Sequence, residues 1–357
     1  MDVFDVEPET FEGRESFNSY LSEEYESLSD RDLYIITGIS EQPRELIDET
    51  LDREGWEILQ DYGAIQKIGK NLDSGLQAEA YFHYDAESQL LLFYTDQRKT
   101  EEIEGGIEPL LNHTTGLHYL YISPRVLKDV REGIVEQEDG AILSEFVAKR
   151  TERTETHAVH RPDNSRTFNY YGDDGLETLR EIERDYGVLP HIMQIEIPGD
   201  LTFRVNKEGV FKLKNGSLSL LFHYMEDCIQ ESLRIKEAYN ETHFQMLEVS
   251  ENIHMPGSTP ATIQLQNHLE YHEIDDIEES LESSDYVLLD SYAEEGSLFF
   301  SGKVYDEESD IFFNIRANQD EIRVFPAEES EIGTFFRFYE FVQDKLDDRA
   351  NFATVEG

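Results

Sequence analysis

The chain has 357 residues, of which 78 are acidic and 30 are basic, so its formal net charge is −48. Apolar residues make up 38% of the chain, which excludes a disordered acidic tail and suffices for the cores of two or three domains. Its one cysteine excludes an internal disulfide and a cysteine-based zinc cluster, and no apolar run reaches the roughly 18 residues of a membrane span.

The acidic residues run through every segment of the chain. Charges of one sign repel one another at low ionic strength, whereas molar salt shortens the Debye length to about 3 Å. Lysine is scarce, with 11 residues against 19 arginines, and the N-terminus has neither the basic nor the apolar region of a signal peptide. This composition resembles that of proteins from a salt-rich cytoplasm, so we predict a cytoplasmic protein of a halophile. The alternative is an acidic protein that mimics nucleic acid.

Residues 1–30 read as an acidic tail followed by an amphipathic helix. The first 15 residues are acidic with isolated Phe4 and Phe11, so we expect them to be mobile or tethered through those two rings. A helix is expected from Ser16, because apolar residues follow at helical spacing. These residues are Phe17, Tyr20, Leu21, Tyr25 and Leu28. The stripe would dock on the protein's own sheet or on a partner.

Residues 31–148 read as a mixed α+β domain. Strands are predicted at 33–39, 56–59, 64–68, 117–122 and 142–148, with a hairpin over 76–95. Helices are predicted after Pro43, from Thr100, and after Ser123, which stands as N-cap before Pro124.

Residues 173–243 read as a central α/β unit, a helix–three-strand–helix arrangement. Its strands are predicted at 192–197, 201–205 and 210–214, and Asn206–Gly209 forms a turn whose glycine takes positive φ. Long helices flank the strands, one after Asp174 and one from about 218 to 239.

Residues 244–350 read as a C-terminal antiparallel meander capped by a helix. Strands are predicted at 246–249, 262–266, 285–292, 298–305, 311–317 and 321–326, and a largely buried helix at 332–346. The whole chain is therefore predicted to be α+β. The hairpins at 82–97 and 303–319 share a Tyr-Asp-x-Glu-Ser turn, which indicates either duplication or convergent turn chemistry.

The basic segment 149–172 lies between these units and is where the chain stops being acidic. Arginine and histidine alternate there with aromatic residues, a pattern that suits phosphate contact and base stacking. We predict that it contacts a nucleic acid or a protein partner, and the alternative is a plain connector. The predicted contact residues are Lys149, Arg150, Arg153, His157, His160, Arg161, Arg166, Tyr170 and Tyr171.

Two kinds of chemistry remain as alternatives to binding. His157 with His160, or His268 with His272, could place two imidazoles on one helix face, but neither pair has the HExxH arrangement of a zinc site. We predict no metal and no cofactor.

Carboxylates near a lysine suit a metal-dependent nuclease or hydrolase, and Asp96 with Lys99 or Glu145 with Lys149 are the candidate pairs. Phosphate-binding glycine loops and serine nucleophile elbows are absent from the sequence. The expectation is a non-enzymatic binding or scaffolding protein, with a structural subunit of a multi-protein assembly as a further alternative.

Overall fold

A computed structural model describes residues 2–150, 165–250, 253–266, 268–269, 277, 280–281, 284–293, 299–327, 330–347 and 349–352. The chain divides into two compact units. The first comprises the described residues of Met1–Lys149, Thr167–Ile182 and Leu189–Ser232. The second comprises the described residues of Arg150–Arg166, Glu183–Val188 and Leu233–Gly357.

A large antiparallel sheet organises the first unit, and 11 of the described strands belong to it. They are β1 (Leu33–Ser40), β2 (Glu57–Asp61), β3 (Ile65–Asn71), β4 (Gln77–Tyr84), β5 (Leu90–Thr95), β6 (Leu117–Tyr119), β7 (Ile142–Arg150), β8 (Arg166–Tyr171), β9 (Leu189–Ile197), β10 (Leu201–Asn206) and β11 (Val210–Gly216). Their spatial order is β2-β3-β4-β5-β1-β11-β10-β9-β7-β8, and β6 also pairs with β1.

Strand β1 lies in the middle of this sheet because its sequence, LYIITGIS, is apolar on both faces. All eight of its residues are buried, as expected for a strand covered on both sides. It pairs antiparallel with β5 on one side and with β11 on the other. The sheet therefore joins strands from the first part of the chain to strands that lie more than a hundred residues later.

The helices are α1 (Arg14–Leu28), α2 (Arg44–Arg53), α3 (Glu108–His113), α4 (Pro124–Gln137), α5 (Gly175–Tyr186) and α6 (Leu218–Asn240), with a π-helical segment at Lys99–Ile107 before α3. The start of α4 confirms the predicted cap, since the Val126 amide donates to the Ser123 hydroxyl oxygen at 3.2 Å. Helix α1 begins two residues before the predicted Ser16, after Gly13.

The apolar stripe of α1 docks on the protein's own sheet. Phe17, Leu21 and Tyr25 are buried, and the Phe17 ring lies 5.1 Å from the Tyr94 ring and 5.7 Å from the Tyr81 ring. The Phe17–Tyr94 pair is edge-to-face, and pairs of this kind stabilise beyond the apolar area that they bury. The stripe is thus used within the first unit, which resolves the choice between sheet and partner.

Of the two expectations for residues 1–15, mobile or tethered through Phe4 and Phe11, the described part of the segment agrees with the second. Val3, Phe4, Val6 and Phe11 are all buried, and Phe11 forms a parallel bridge with Gly63. Two valines therefore add to the two predicted phenylalanine anchors. The segment is anchored because its few apolar residues all point into the first unit.

The two hairpins with a shared sequence also share their turn chemistry. The Asp85 carboxylate accepts from the amide two residues on at 2.9 Å and from the Ser88 hydroxyl at 2.9 Å. The Asp306 carboxylate likewise accepts from the amide two residues on at 3.1 Å and from the Ser309 hydroxyl at 2.8 Å. The residue after each serine has positive φ, 58° in one hairpin and 59° in the other. The two turns thus have the same chemistry, and duplication or convergence as its origin stays a prediction.

The second unit contains the C-terminal meander. Its sheet has the order β15 (Tyr286–Ala293), β16 (Phe300–Asp306), β17 (Ile311–Ala317), β18 (Glu321–Phe325), β14 (Ala261–Gln264) and β19 (Asn351–Phe352), and a separate hairpin joins β12 (His243–Ser250) to β13 (Ile253–Thr259). Helix α7 (Ile332–Phe341), followed by a π-helical turn at Val342–Leu346, covers one face of the sheet. The Phe313 and Phe338 rings meet there at 5.1 Å, and Tyr286 and Phe341 at 5.5 Å.

The α+β class, the C-terminal meander and its final helix are confirmed. The bounds of the five segments predicted from the sequence stay a prediction. Across the part of the chain that the structure describes, no helix is both long enough and apolar enough to cross a membrane.

Candidate nucleic-acid interface

The basic segment is part of the large sheet at both of its described ends. Strand β7 continues to Arg150 and β8 begins at Arg166, so the described ends of 149–172 are strands. In the sheet, β7 and β8 are neighbours. The predicted contact residues Arg153, His157, His160 and Arg161 lie outside the described residues.

Alternation along β8 separates its two predicted tyrosines. Arg166, Phe168 and Tyr170 are half-buried, whereas Thr167, Asn169 and Tyr171 are exposed. Successive side chains of a strand point to opposite faces, so Tyr170 and Tyr171 lie on opposite sides of the sheet. Tyr171 is 73% exposed, and its ring is open to a ligand.

Tyr170 is held by contacts within the first unit. Its ring stacks on Phe146, with centroids 5.0 Å apart and planes 9° apart. Its hydroxyl donates a hydrogen bond to the Asp174 carboxylate, and this bond raises the pKa of the Tyr170 hydroxyl. Tyr170 therefore orders the start of α5, and Tyr171 is the tyrosine left to meet a partner.

The first two cations of the segment also differ in exposure. Arg150 is 4% exposed, and its guanidinium donates to the Tyr186 carbonyl at 2.6 Å. Arginine at such a site binds the end of α5, where the last carbonyls lack helical partners. Lys149 is exposed. Of this adjacent pair, Lys149 is the one that faces solvent.

A second lysine adds positive charge near Lys149. Burial, followed by the positive charges of Lys207 and Lys149, lowers the pKa of the His191 imidazole to about 3. His191 is 6% exposed on β9, and its carbonyl accepts from the Lys207 amide at 3.0 Å. Two lysines thus lie close to one buried imidazole on β9, which their charges help to keep neutral.

This arrangement gives a prediction for the pH dependence of stability. The His191 pKa is about 3 in the folded protein, whereas an unfolded histidine titrates near 6.5, so only the unfolded state takes up the proton as the pH falls below 6.5. Between pH 7.5 and 5.5 the wild type should lose about 1 kcal/mol more than His191→Leu. Denaturant melts of both proteins at the two pH values measure this difference. Equal losses would contradict the neutral, buried imidazole.

The first carboxylate proposed for a nuclease is occupied by structural contacts. Asp96 is 3% exposed and pairs with the Arg31 guanidinium at 2.7 Å. It also accepts from the Ser29 hydroxyl at 2.6 Å and from the Phe4 amide at 3.1 Å. Lys99 begins the π-helical segment, and its ammonium pairs with a carboxylate of the same segment. Asp96 thus ties the N-terminal segment and the end of α1 to β5.

The second candidate carboxylate, the C-terminal histidine pair and the cysteine offer no open reactive site among the described residues. Glu145 pairs with Arg204 at 2.9 Å. His268 contacts the Asp320 carboxylate at 2.5 Å, and its predicted partner His272 lies outside the described residues. Cys228 is buried, and burial raises the pKa of its thiol to about 12, so it is a poor nucleophile at neutral pH.

Sequence reasoning missed a second surface, which we name the open face. It is the face of the C-terminal sheet turned away from α7, and cross-strand register places aromatic and basic side chains on it together. They are Tyr292, Lys303, Tyr305, Phe312, Arg316 and Phe325. The signal was the period of two in IFFNIRA and EIRVF, which assigns alternate residues to opposite faces. The prediction recorded only that these segments are strands.

Comparisons with known proteins give a family likeness without an activity. A family model described as AF_0896_M, a family middle domain, matches residues 126–208. Over 371 aligned positions the chain is 24% identical to a protein of Archaeoglobus fulgidus described as uncharacterized, and the alignment covers 98% of each chain. No solved structure matches the chain. The matched middle region contains the basic segment.

Proposed function

We propose that the protein is a non-enzymatic binding protein of a halophile's cytoplasm, and that it contacts a nucleic acid through the basic segment 149–171. One observation carries the proposal: neighbouring strands β7 and β8 present an exposed cation, Lys149, and a ring that is 73% exposed, Tyr171. Cations meet phosphates and rings stack on bases, so the two strands offer both kinds of contact to a nucleic acid. The Gly172 amide donates to the Ser144 carbonyl at 3.0 Å, which places Tyr171 several residues along β7 from Lys149, so the two side chains suit different nucleotides of one strand.

The charge of the chain supports this location. Nucleic acid is repelled by a protein of net charge −48, except where positive groups outnumber acidic ones. Besides burial, the charges of Lys207 and Lys149 lower the pKa of His191, so two cations lie close together beside the basic segment. Counterion release contributes little affinity in molar salt, so stacking on Tyr171 must supply much of it.

The contacts of the candidate acidic residues favour binding over cleavage. A metal-dependent nuclease needs carboxylate oxygens that are open to divalent cations. Both oxygens of Asp96 already accept hydrogen bonds, and Glu145 is paired with Arg204. A protein partner or a multi-protein assembly remains an alternative ligand for the segment, and the experiment below separates it from nucleic acid.

A binding titration on the full chain tests the proposal. Fluorescence anisotropy of labelled RNA and DNA, single-stranded and duplex, is followed at molar KCl. We expect Tyr171→Ala to weaken binding about tenfold, since base stacking contributes about 1–3 kcal/mol per base. Lys149→Ser should weaken it most at low salt, because a phosphate contact depends on ionic strength.

Arg53→Ser is the matched control for charge. Its side chain is 63% exposed on α2 and pairs with Glu54, so its removal changes net charge without touching the basic segment. Unchanged affinity in the Lys149→Ser, Tyr171→Ala double variant would remove this segment as the contact. Turnover of the labelled strands that requires a divalent metal would instead support the nuclease alternative.

A further inference from the structure

The open face of the C-terminal sheet is built from three cross-strand rows. Tyr305 on β16 stands opposite Phe312 on β17, and their rings are 4.7 Å apart. Lys303 stands in the next row, opposite Asn314. In the third row, Arg316 of β17 stands opposite Arg323 of β18. Neighbouring strands lie about 4.8 Å apart, so these side chains form one continuous surface.

This surface is exposed although it is rich in large apolar groups. Phe312 is 40% exposed and Tyr292, on the neighbouring edge strand β15, is 58% exposed. Val287 and Leu289 of the same strand are exposed as well, and the register places them opposite Tyr305 and Lys303. Helix α7 covers the opposite face of the sheet. Among the described elements, none buries the open face in the same way. Contiguous exposed apolar area of this kind marks an interaction site.

The charge of the open face is opposite to that of the chain. Residues 251–300 contain no lysine or arginine, yet three of the next basic residues fall on this one face. Arg323 pairs with Glu321 at 2.5 Å. Among the described residues, Lys303 and Arg316 have no carboxylate partner, which is unusual for cations in a protein with 78 acidic residues.

Both of these cations lie over aromatic rings instead. The Lys303 ammonium is 4.6 Å from the centroid of the Phe312 ring, and the Arg316 guanidinium is 4.8 Å from that of Phe325. Cation–π contacts hold each charge next to a ring; the Phe312 side chain is 40% exposed and Phe325 is half-buried. The side chains are thus already arranged as pairs, each with one cation for a phosphate and one ring for a base.

From these observations we infer that the open face binds a single-stranded nucleic acid, with bases on Phe312 and Phe325 and phosphates at Lys303 and Arg316. Antiparallel sheets that present aromatic and basic residues together suit unpaired bases, whose flat faces a duplex hides. The inference stands apart from the proposal for the basic segment, because the two surfaces share no residue.

Two other occupants fit the surface less well. A symmetric contact with a second copy of this chain would place Lys303 and Arg316 against the same two cations of the copy, and like charges oppose that contact. An acidic protein segment would satisfy the cations but leave the exposed rings without flat partners. Single-stranded nucleic acid satisfies both kinds of group.

The test uses the full chain and labelled strands of about 12 nucleotides, within the range of known single-strand sites. Anisotropy titrations in about 2 M KCl suppress non-specific charge contacts. We expect the wild type to bind single-stranded RNA or DNA more tightly than the matching duplex. Phe312→Ala should weaken single-strand binding about tenfold, and Phe312→Tyr should restore it, since tyrosine keeps the stacking ring.

Matched variants distinguish this site from general effects. Ile58→Ala removes an exposed apolar side chain from β2 of the first unit, and should leave affinity unchanged. Lys303→Ser and Arg316→Ser should each reduce the salt dependence of binding by about one phosphate contact. Because Phe312 is exposed, its replacement should leave the melting temperature within a few degrees of the wild type.

Three outcomes would overturn the inference. The first is a wild type that binds no single strand, and the second is Phe312→Ala and Lys303→Ser variants with wild-type affinity. The third is a self-associating chain that Phe312→Ala turns into a monomer, which would make the face an interface between copies. If Phe312→Ala loses binding and Tyr171→Ala does not, the open face is the binding site and the basic segment is not. If Tyr171→Ala loses binding and Phe312→Ala does not, the basic segment is the site and the open face is not.

Discussion

We expect Asp96→Ala to lower the free energy of unfolding by about 3 kcal/mol, because it leaves the buried Phe4 amide without its acceptor and the partly exposed Arg31 without its carboxylate. Its carboxylate is 3% exposed and bonds Arg31, Ser29 and the Phe4 amide. Without it, the N-terminal segment loses its hydrogen-bonded attachment to β5. Denaturant unfolding of the full chain at constant molar KCl measures the loss.

Two further variants define what the Asp96 result means. Asp96→Asn keeps an oxygen acceptor without the charge, so its loss should lie between those of the wild type and Asp96→Ala. Lys99→Ala removes the other member of the predicted catalytic pair, whose side chain is 47% exposed, and should change stability by less than about 0.5 kcal/mol. If Asp96→Ala were as stable as the wild type, Asp96 would be free for chemistry and the nuclease alternative would regain support.

Local features of this fold were predictable from the sequence. The Ser123–Pro124 cap, the Asn206–Gly209 turn and the strand Ile311–Ala317 all follow from residues that are adjacent in the chain. Caps and turns depend on side chains that bond their own backbone, so a short window of sequence contains the whole cause. The same holds for the repeated Asp-x-x-Ser turn of the two hairpins.

Long-range pairing was not predictable by the same means. Nothing in LYIITGIS specifies that β1 pairs with β11 through Ile36 and Val210. Apolar β-branched strands are interchangeable at the level of pattern, and the choice of neighbour depends on the packing of the entire sheet. The burial of the N-terminal segment was only partly predictable for a related reason. Its four buried apolar residues are too irregularly spaced to show a period, although each one is buried in the first unit.

The candidate sites show what a search for charge alone overlooks. A cluster of cations along the chain drew attention to the basic segment, whereas Lys303 and Arg316 are isolated in sequence and stand in neighbouring rows of adjacent strands. Elsewhere the described cations often have acidic partners. Examples are Arg31 with Asp96, Arg204 with Glu145, Lys212 with Asp32 and Arg337 with Asp306. In an acidic protein, a cation that lies on a ring and not on a carboxylate is therefore the informative one.

The second large loss of stability is expected on substitution of Gly209, where the chain turns from β10 to β11. Its φ is +66°, and an added Cβ atom would lie 2.1 Å from the Thr37 hydroxyl oxygen and 2.8 Å from the Leu120 carbonyl oxygen. The Gly209 carbonyl also accepts from the Thr37 hydroxyl at 2.8 Å. Gly209→Ala combines a left-handed backbone with a steric overlap, so we expect a loss of about 3 kcal/mol in unfolding free energy.

Another glycine of the same unit provides a control, because its substitution should raise stability. Gly133 lies inside α4, and an added Cβ there would meet nothing within 4 Å. Alanine is preferred to glycine in a helix interior, so Gly133→Ala should raise the free energy of unfolding by roughly 0.5–1 kcal/mol. Denaturant melts of the two variants should thus move in opposite directions. If Gly209→Ala were neutral, the β10–β11 turn would not press against β1 as described, and the register that joins β11 to β1 would have to differ.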